Sequence, residues 1–304
     1  MKKNVPSLKK SKSPVLSPCR AGRGCRVIVL TVNLLSLLMF LAGCTEEPLV
    51  DPPQCPSDTT WNFVVIGDTR ANPEIYRMNI ETINRLSPVP ALFFHTGDMV
   101  TMPDSSMEWE IHEEITGMLK SDIQKFFVVG NHDLSDVPDN MDLQHIVGRN
   151  QSFYYATRIN NTLMILFNTE TSDFELTAET LWLEEQLLLA DADPDIDHIM
   201  IFMHHPVFPQ GHHQGENLVN ADELHQLFVE YGVELVFAGH EHQFFINEFD
   251  NVTYVITGGG GAPLHYENGG DFYHFVRVCC TDDHYRLQVI SPEGRLLEEH
   301  DVQL

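Results

Sequence analysis

Five short apolar runs in the sequence each end on side chains that can hold a metal ion or move a proton. The endings are Ile66-Gly67-Asp68-Thr69-Arg70, Thr96-Gly97-Asp98, Val129-Gly130-Asn131-His132-Asp133, Met203-His204-His205-Pro206 and Ala238-Gly239-His240-Glu241-His242. Carboxylate, amide and imidazole donors suit Mn, Fe, Zn and similar ions. Taken singly each ending has an ordinary explanation, since Asn-His-Asp makes a good turn and Gly-His-Glu-His a wet loop. As five endings of five strands they carry more weight, because ligands gather beyond the carboxyl ends of strands in α/β sheets.

The elements that must position these residues follow from periodicity and punctuation. Asn62 to Gly67, Ala91 to Thr96 and Lys125 to Val129 read as buried strands, separated by helices over Pro73 to Leu86 and Ser105 to Lys120. Asn72 is a helix cap, and Ile75, Met78, Ile80 and Ile83 recur near helical spacing. This β-α-β-α-β order implies parallel pairing through right-handed crossovers.

Further on, Ser152 to Arg158 and Thr162 to Asn168 flank Asn160-Asn161, a hairpin signal. A helix capped by Thr177 and running to Leu189, a strand over Asp197 to Met203, a helix over Ala221 to Tyr231 and a strand over Val233 to Phe237 come next. Phe244 to Phe249 pairs with Val252 to Thr257, and Phe272 to Cys279 with Tyr285 to Ser291 as the last hairpin. The expected fold class is α/β (α+β), a four-layer α/β/β/α sandwich of two packed mixed sheets flanked by helices.

Composition sets limits on function. Eight of the 18 basic residues lie in the first 44 positions, which hold no acidic residue, so the remainder has 10 basic against 44 acidic side chains, formally −34. Nucleic acid and anionic lipid surfaces are poor partners for such a charge, and an anionic ester needs strong local positive charge to approach. The basic start, the apolar run Val27 to Leu41 and the exit Leu41-Ala42-Gly43-Cys44 read as a secretory signal over residues 1–43 that resembles a bacterial lipobox. That resemblance implies lipidation of Cys44, a Pro-rich tether over 44–60, and a lipid-anchored domain at 61–304 facing the periplasm or exterior. Cys55, Cys279 and Cys280 have no zinc-like spacing; a disulfide from Cys55 to either neighbour is possible, with three small apolar residues the favoured reading.

Asp68, Gly97-Asp98, Gly130-Asn131-His132-Asp133, His204 and Gly239-His240-Glu241-His242, in this order, resemble the signatures of the calcineurin-like metallophosphoesterase superfamily. The resemblance implies two divalent or trivalent ions, Mn, Fe or Zn, bridged by Asp98. Asp68 and His242 would bind the first, and Asn131, His204 and His240 the second. By the same resemblance His132 protonates the leaving alkoxide and Asp133 orients its imidazole. Histidine's ordinary pKa of about 6.5 suits that work.

Arg70 stands where many members have a histidine ligand, and a guanidinium cannot ligate. It suits gripping a phosphate oxygen, the plainer alternative being an ion pair with its acidic surroundings. His204-His205-Pro206-Val207-Phe208 followed by His212-His213 is similar to purple acid phosphatases, which implies substrate contact by His213 and His212. Thr101 replaces the tyrosine that the resemblance would place there. His95 is read as buried and hydrogen-bonded or as support for the site, and Gly258 to Gly261 as a corner allowing close backbone approach. The expected activity is metal-dependent hydrolysis of small phosphomonoesters outside the cytoplasm. A phosphodiesterase and a non-catalytic metal- and phosphate-binding lipoprotein are the alternatives.

Overall fold

The computed structural model describes residues 50–135, 153–170, 177–266 and 270–304. The leader, the lipidation site Cys44 and the start of the tether lie outside them. In chain order the described elements are β1 (Trp61–Ile66), α1 (Pro73–Arg85), β2 (Leu92–His95), α2 (Ser106–Thr116), β3 (Gln124–Phe127), β4 (Tyr155–Ile159), β5 (Thr162–Leu166), α3 (Thr177–Asp191), β6 (His198–Phe202), α4 (Ala221–Glu230), β7 (Leu235–Ala238), β8 (Phe244–Phe249), β9 (Val252–Thr257), β10 (Phe275–Cys280), β11 (His284–Ile290) and β12 (Leu296–Gln303). The strands form two six-stranded mixed sheets, ordered β12-β11-β10-β1-β2-β3 and β4-β5-β6-β7-β9-β8.

Alternation along the strands sorts side chains into layers. Phe63 and Val65 of β1 and Phe94 of β2 meet Phe202 and Phe237 of the second sheet, while Val64 and Ile66 face Tyr76, Ile80 and Ile83 of α1. Phe94 stacks on Phe202 at 3.9 Å between ring centroids, and Phe202 on Phe237 at 5.3 Å. Each such ring contributes roughly 1.5–3 kcal/mol by leaving water. Leu183 and Leu187 of α3 and Leu224 and Phe228 of α4 cover the outer face of the second sheet. The result is the expected four-layer α/β/β/α sandwich, and its central strands β1, β2, β5, β6, β7 and β9 are apolar on both sides because both faces are covered.

This topology explains the convergence of the five endings. β1, β2 and β3 run parallel to one another, as do β6 and β7. Asp68, Asp98, Asn131, His204 and His240 each follow the carboxyl end of one of these strands.

Three expectations change. The last hairpin gains a third strand, β12, and all three strands join the first sheet through β10 and β1. β12 is hard to read because Leu296 and Leu297 stay exposed and its middle is acidic. Asp301 accepts a hydrogen bond from Arg286 Nε at 2.8 Å, a charge placement that suits a sheet edge. The Pro-rich stretch is no free tether over its described residues: Arg85 donates to the Val50 carbonyl (2.7 Å), fully buried Arg277 to that of Pro53 (3.1 Å) and Gln288 to that of Gln54 (3.0 Å). An extended segment against a protein surface must find donors for its carbonyls, and these side chains supply them. Cys55 and Cys279 form a disulfide with 5.8 Å between Cα atoms, in place of the favoured apolar role, and Cys280 is free and buried.

Candidate metal centre

Sharp turns after the strands aim the donor side chains. Asp68, Asp98 and His240 all have left-handed backbone, with φ of 56°, 60° and 67°. Non-glycine residues held there are strained and cluster at functional sites. Close approach is built in at Gly97, with φ of +96°, where a Cβ would stand 2.7 Å from His204 Nδ1. The glycine corner does the same at Gly258, where a Cβ would meet Asp68 Oδ2 at 2.9 Å.

Two donor groups share Asp98. In the first, ligand atoms of Asp68, Asp98 and His242 all lie within 4.8 Å of one another, each residue being buried. In the second, Asn131 Oδ1 lies 3.0 Å from His204 Nε2 and 3.2 Å from His240 Nδ1, and His204 Nε2 lies 3.4 Å from Asp98 Oδ1. Ligands about 2.0–2.2 Å from one ion stand roughly 3 Å apart, so these spacings fit a coordination polyhedron.

Hydrogen bonds fix which nitrogens are free to ligate. Carbonyl oxygens only accept, so His204 donates from Nδ1 to Thr96 (2.8 Å) and His242 from Nδ1 to Pro263 (2.7 Å). The Nε2 lone pair of each is thereby left for an ion. Burial, then neighbouring imidazoles, push His204 and His240 well below the usual histidine range, which keeps them neutral as ligands must be.

Burial raises Asp68 to about 6, Asp98 adds to the rise, and His242 and Arg70 oppose it. Burial would lower His242, but its hydrogen bond and charge interaction with Asp68 leave it raised. A carboxylate whose charge burial disfavours this strongly, beside a second buried carboxylate, suits a cation. The donor set therefore fits the two ions expected.

Arg70 does not stand apart from this group. Its Nε donates to Asp98 Oδ2 at 2.9 Å, and its Nη2 lies 3.4 Å from His242 Nε2. The plainer alternative, an ion pair with acidic surroundings, is thus present, while Nη1 has no partner among the described residues.

Asp133 does not orient His132. It is fully buried, and its carboxylate accepts from the backbone N–H groups of Asp98 (2.8 Å), Met99 (2.7 Å), Val100 (3.3 Å) and Gly130 (2.9 Å). It therefore fixes the loop that carries Asp98. His132 is held instead by the Thr101 carbonyl, 3.1 Å from Nδ1, and its backbone N–H donates to Asp98 Oδ1 at 3.0 Å.

His213 stacks beside His240, with ring centroids 4.2 Å apart, while His212 sits one ring further out, 4.5 Å from His265. Both backbone N–H groups donate to buried Glu241, at 3.1 Å for His212 and 3.0 Å for His213. His265 stacks on His242 at 4.3 Å. Sequence reasoning gave no role to Glu241 or His265; the position of Glu241 inside Gly-His-Glu-His was the available signal. His95 is fully buried, accepts from Gly97 N at 3.1 Å and lies 3.0 Å from Thr69 Oγ1, so it braces the turn before Asp98.

A calcineurin-like phosphoesterase profile matches residues 62–244, more than half of the chain. The chain belongs to the calcineurin-like phosphoesterase family. This phosphoesterase is 27% identical over 236 residues to bovine (Bos taurus) serine/threonine-protein phosphatase CPPED1, covering 71% of this chain and 74% of that one. It is 24% identical over 241 residues to the phosphoenolpyruvate phosphatase of onion (Allium cepa), covering 70% and 47%. Among solved structures, purple acid phosphatase PPD1 from yellow lupin (Lupinus luteus) seeds superposes with a TM-score of 0.66 at 16% identity, over 80% of this chain and 53% of that one. A dimetal phosphatase from Danio rerio gives 0.62 at 12% identity, over 81% and 99%. The chain thus spans about half the length of the lupin enzyme. These matches make it a phosphoric ester hydrolase of a dinuclear metal-dependent family.

Proposed function

We propose that this phosphoesterase hydrolyses phosphomonoesters outside the cytoplasm, anchored by lipid on Cys44 to a bacterial membrane. The observation that carries the catalytic reading is Asp98, whose Oδ1 lies 3.4 Å from His204 Nε2 of one donor group and whose carboxylate also lies within 4.8 Å of the ligand atoms of Asp68 and His242 in the other. When bound, a metal pair supplies positive charge to the phosphoryl oxygens and lowers the pKa of a water.

The protein's own residues supply the rest. Asp98 ties His132 to the site through the backbone, and the Thr101 carbonyl takes Nδ1–H. His132 Nε2 is then the nitrogen that gives a proton to the alkoxide as water attacks phosphorus and the P–O ester bond breaks. The unpartnered Nη1 of Arg70 adds N–H donors for phosphoryl oxygens, while the His213 ring stands beside His240 with its Nδ1 donating to Glu216 at 3.0 Å. A monoester dianion gains more from such charge-assisted bonds than a diester monoanion, which favours monoesters. The acidic surface makes this local positive charge necessary.

The guanidinium on Asp98 Oδ2 is the observation that favours the alternative of a metal- and phosphate-binding lipoprotein without turnover. Release of p-nitrophenol by purified protein supplied with Mn, Fe or Zn separates the readings. Faster cleavage of p-nitrophenyl phosphate than of its bis ester is expected, and cleavage of neither would refute the hydrolase. Palmitate labelling that fails at Cys44 would remove the anchor.

Arg70→Ala should weaken inhibition by phosphate or vanadate roughly 10–100-fold, the value of one charge-assisted hydrogen bond. Unchanged inhibition would show that Arg70 serves only Asp98.

A further inference from the structure

Beside the donor groups, along α1 and α2, lies a cavity of about 230 Å³. Arg70 forms its end nearest the site, Met99, Ile111 and Ile115 give it apolar walls, and Tyr76 and His112 line it as a pair of rings stacked 5.2 Å apart. Roughly 150 Å³ is enough to take a benzene ring, so a substituted ring fits.

His112 is only 6% exposed, and its Nδ1 has no hydrogen-bond partner among the described residues. Proton accounting shows what it lacks. Thr116 has one hydroxyl hydrogen and gives it to the His112 carbonyl at 2.8 Å. Its oxygen must then accept from both other neighbours, Tyr76 OH at 2.6 Å and His112 Nε2 at 3.2 Å. Burial drives His112 down to about 3, so the ring is neutral and holds a single N–H, the one on Nε2. Nδ1 is therefore a bare acceptor, but the atom is itself buried away from the cavity, so His112 serves the cavity as an uncharged ring wall and not as a hydrogen-bond partner.

Resting on the phosphoesterase reading, we propose that this cavity receives the alcohol half of the ester. The group it takes is uncharged, ring-sized and apolar. The Glu108 carboxylate at the cavity wall accepts from Thr101 N at 2.6 Å and Met102 N at 3.2 Å, and its charge disfavours an acidic alcohol.

The test uses benzyl alcohol as the probe, followed by saturation-transfer NMR, together with kcat/KM for benzyl and ethyl phosphates, whose alkoxides are similar leaving groups. Wild type should bind the alcohol. Ile111→Trp, which fills the cavity from a partly exposed position, should weaken binding about tenfold, the scale of a lost apolar contact. Ile111→Trp should also cut the preference for the benzyl over the ethyl ester about tenfold. No binding by wild type, or equal binding by wild type and Ile111→Trp, overturns the proposal. Hydrolysis of both esters at equal kcat/KM also overturns it and leaves the hydrolase standing. Alcohol binding that Ile111→Trp abolishes, with no ester cleaved, upholds the cavity's ligand class and removes the hydrolase.

Discussion

Asp98→Asn should lower kcat for phosphate-ester hydrolysis by about a thousandfold or more, on the order of 4 kcal/mol of transition-state stabilisation. The substitution keeps shape and volume but removes the charge that the two donor groups share. It also leaves Arg70, which donates to Asp98 Oδ2, without its anionic partner. Metal content measured alongside activity should fall as well, because an amide offers one oxygen where the carboxylate offered two. Activity within tenfold of wild type would mean that Asp98 is not the shared ligand.

Asp133→Ala should act through the loop rather than through His132. Four backbone N–H groups lose their acceptor at once, in a place where Asp133 is fully buried. Even if water satisfies most of them, a remaining cost of about 3 kcal/mol is expected. For a domain of this size that lowers the melting temperature by roughly 6–12 °C. Activity should fall at least a hundredfold, since the loop aims Asp98. The sequence-based expectation that Asp133 orients the imidazole makes a different demand: a changed pH–rate profile at unchanged melting temperature. Thermal melts and pH profiles of Asp133→Ala and Asp133→Asn therefore decide between the two roles.

What was legible in the sequence was local. Strands ending in Gly-Asp, Gly-Asn-His-Asp or Gly-His-Glu-His announce themselves through a break in an apolar run, and parallel pairing then carries those ends to one side. Asp68, Asp98, Asn131, His204, His240 and His242 are found together for that reason. What was not legible depends on contacts distant along the chain. The partners of Asp133 lie mainly in a loop about 35 residues earlier, a contact no local pattern announces, so the role carried over by resemblance named the wrong partner. Cys55 and Cys279 are 224 residues apart, and nothing local distinguishes Cys279 from Cys280 until β10 sets which of them faces the incoming segment. The docking of residues 50–60 rests on Arg277, a buried charge in a strand whose sequence reads as apolar. β12 shows neither apolar alternation nor a buried face, and only its pairing with β11 defines it.

The most direct measurement of the central claim is metal analysis combined with anomalous diffraction from crystals grown with Mn, Fe or Zn. The expected result is two ions sharing Asp98, one with Asp68 and His242 and the other with Asn131, His204 and His240. Density for no ion among these residues at full metal supply, or for ions held elsewhere while the six side chains remain bound only to one another, would contradict it.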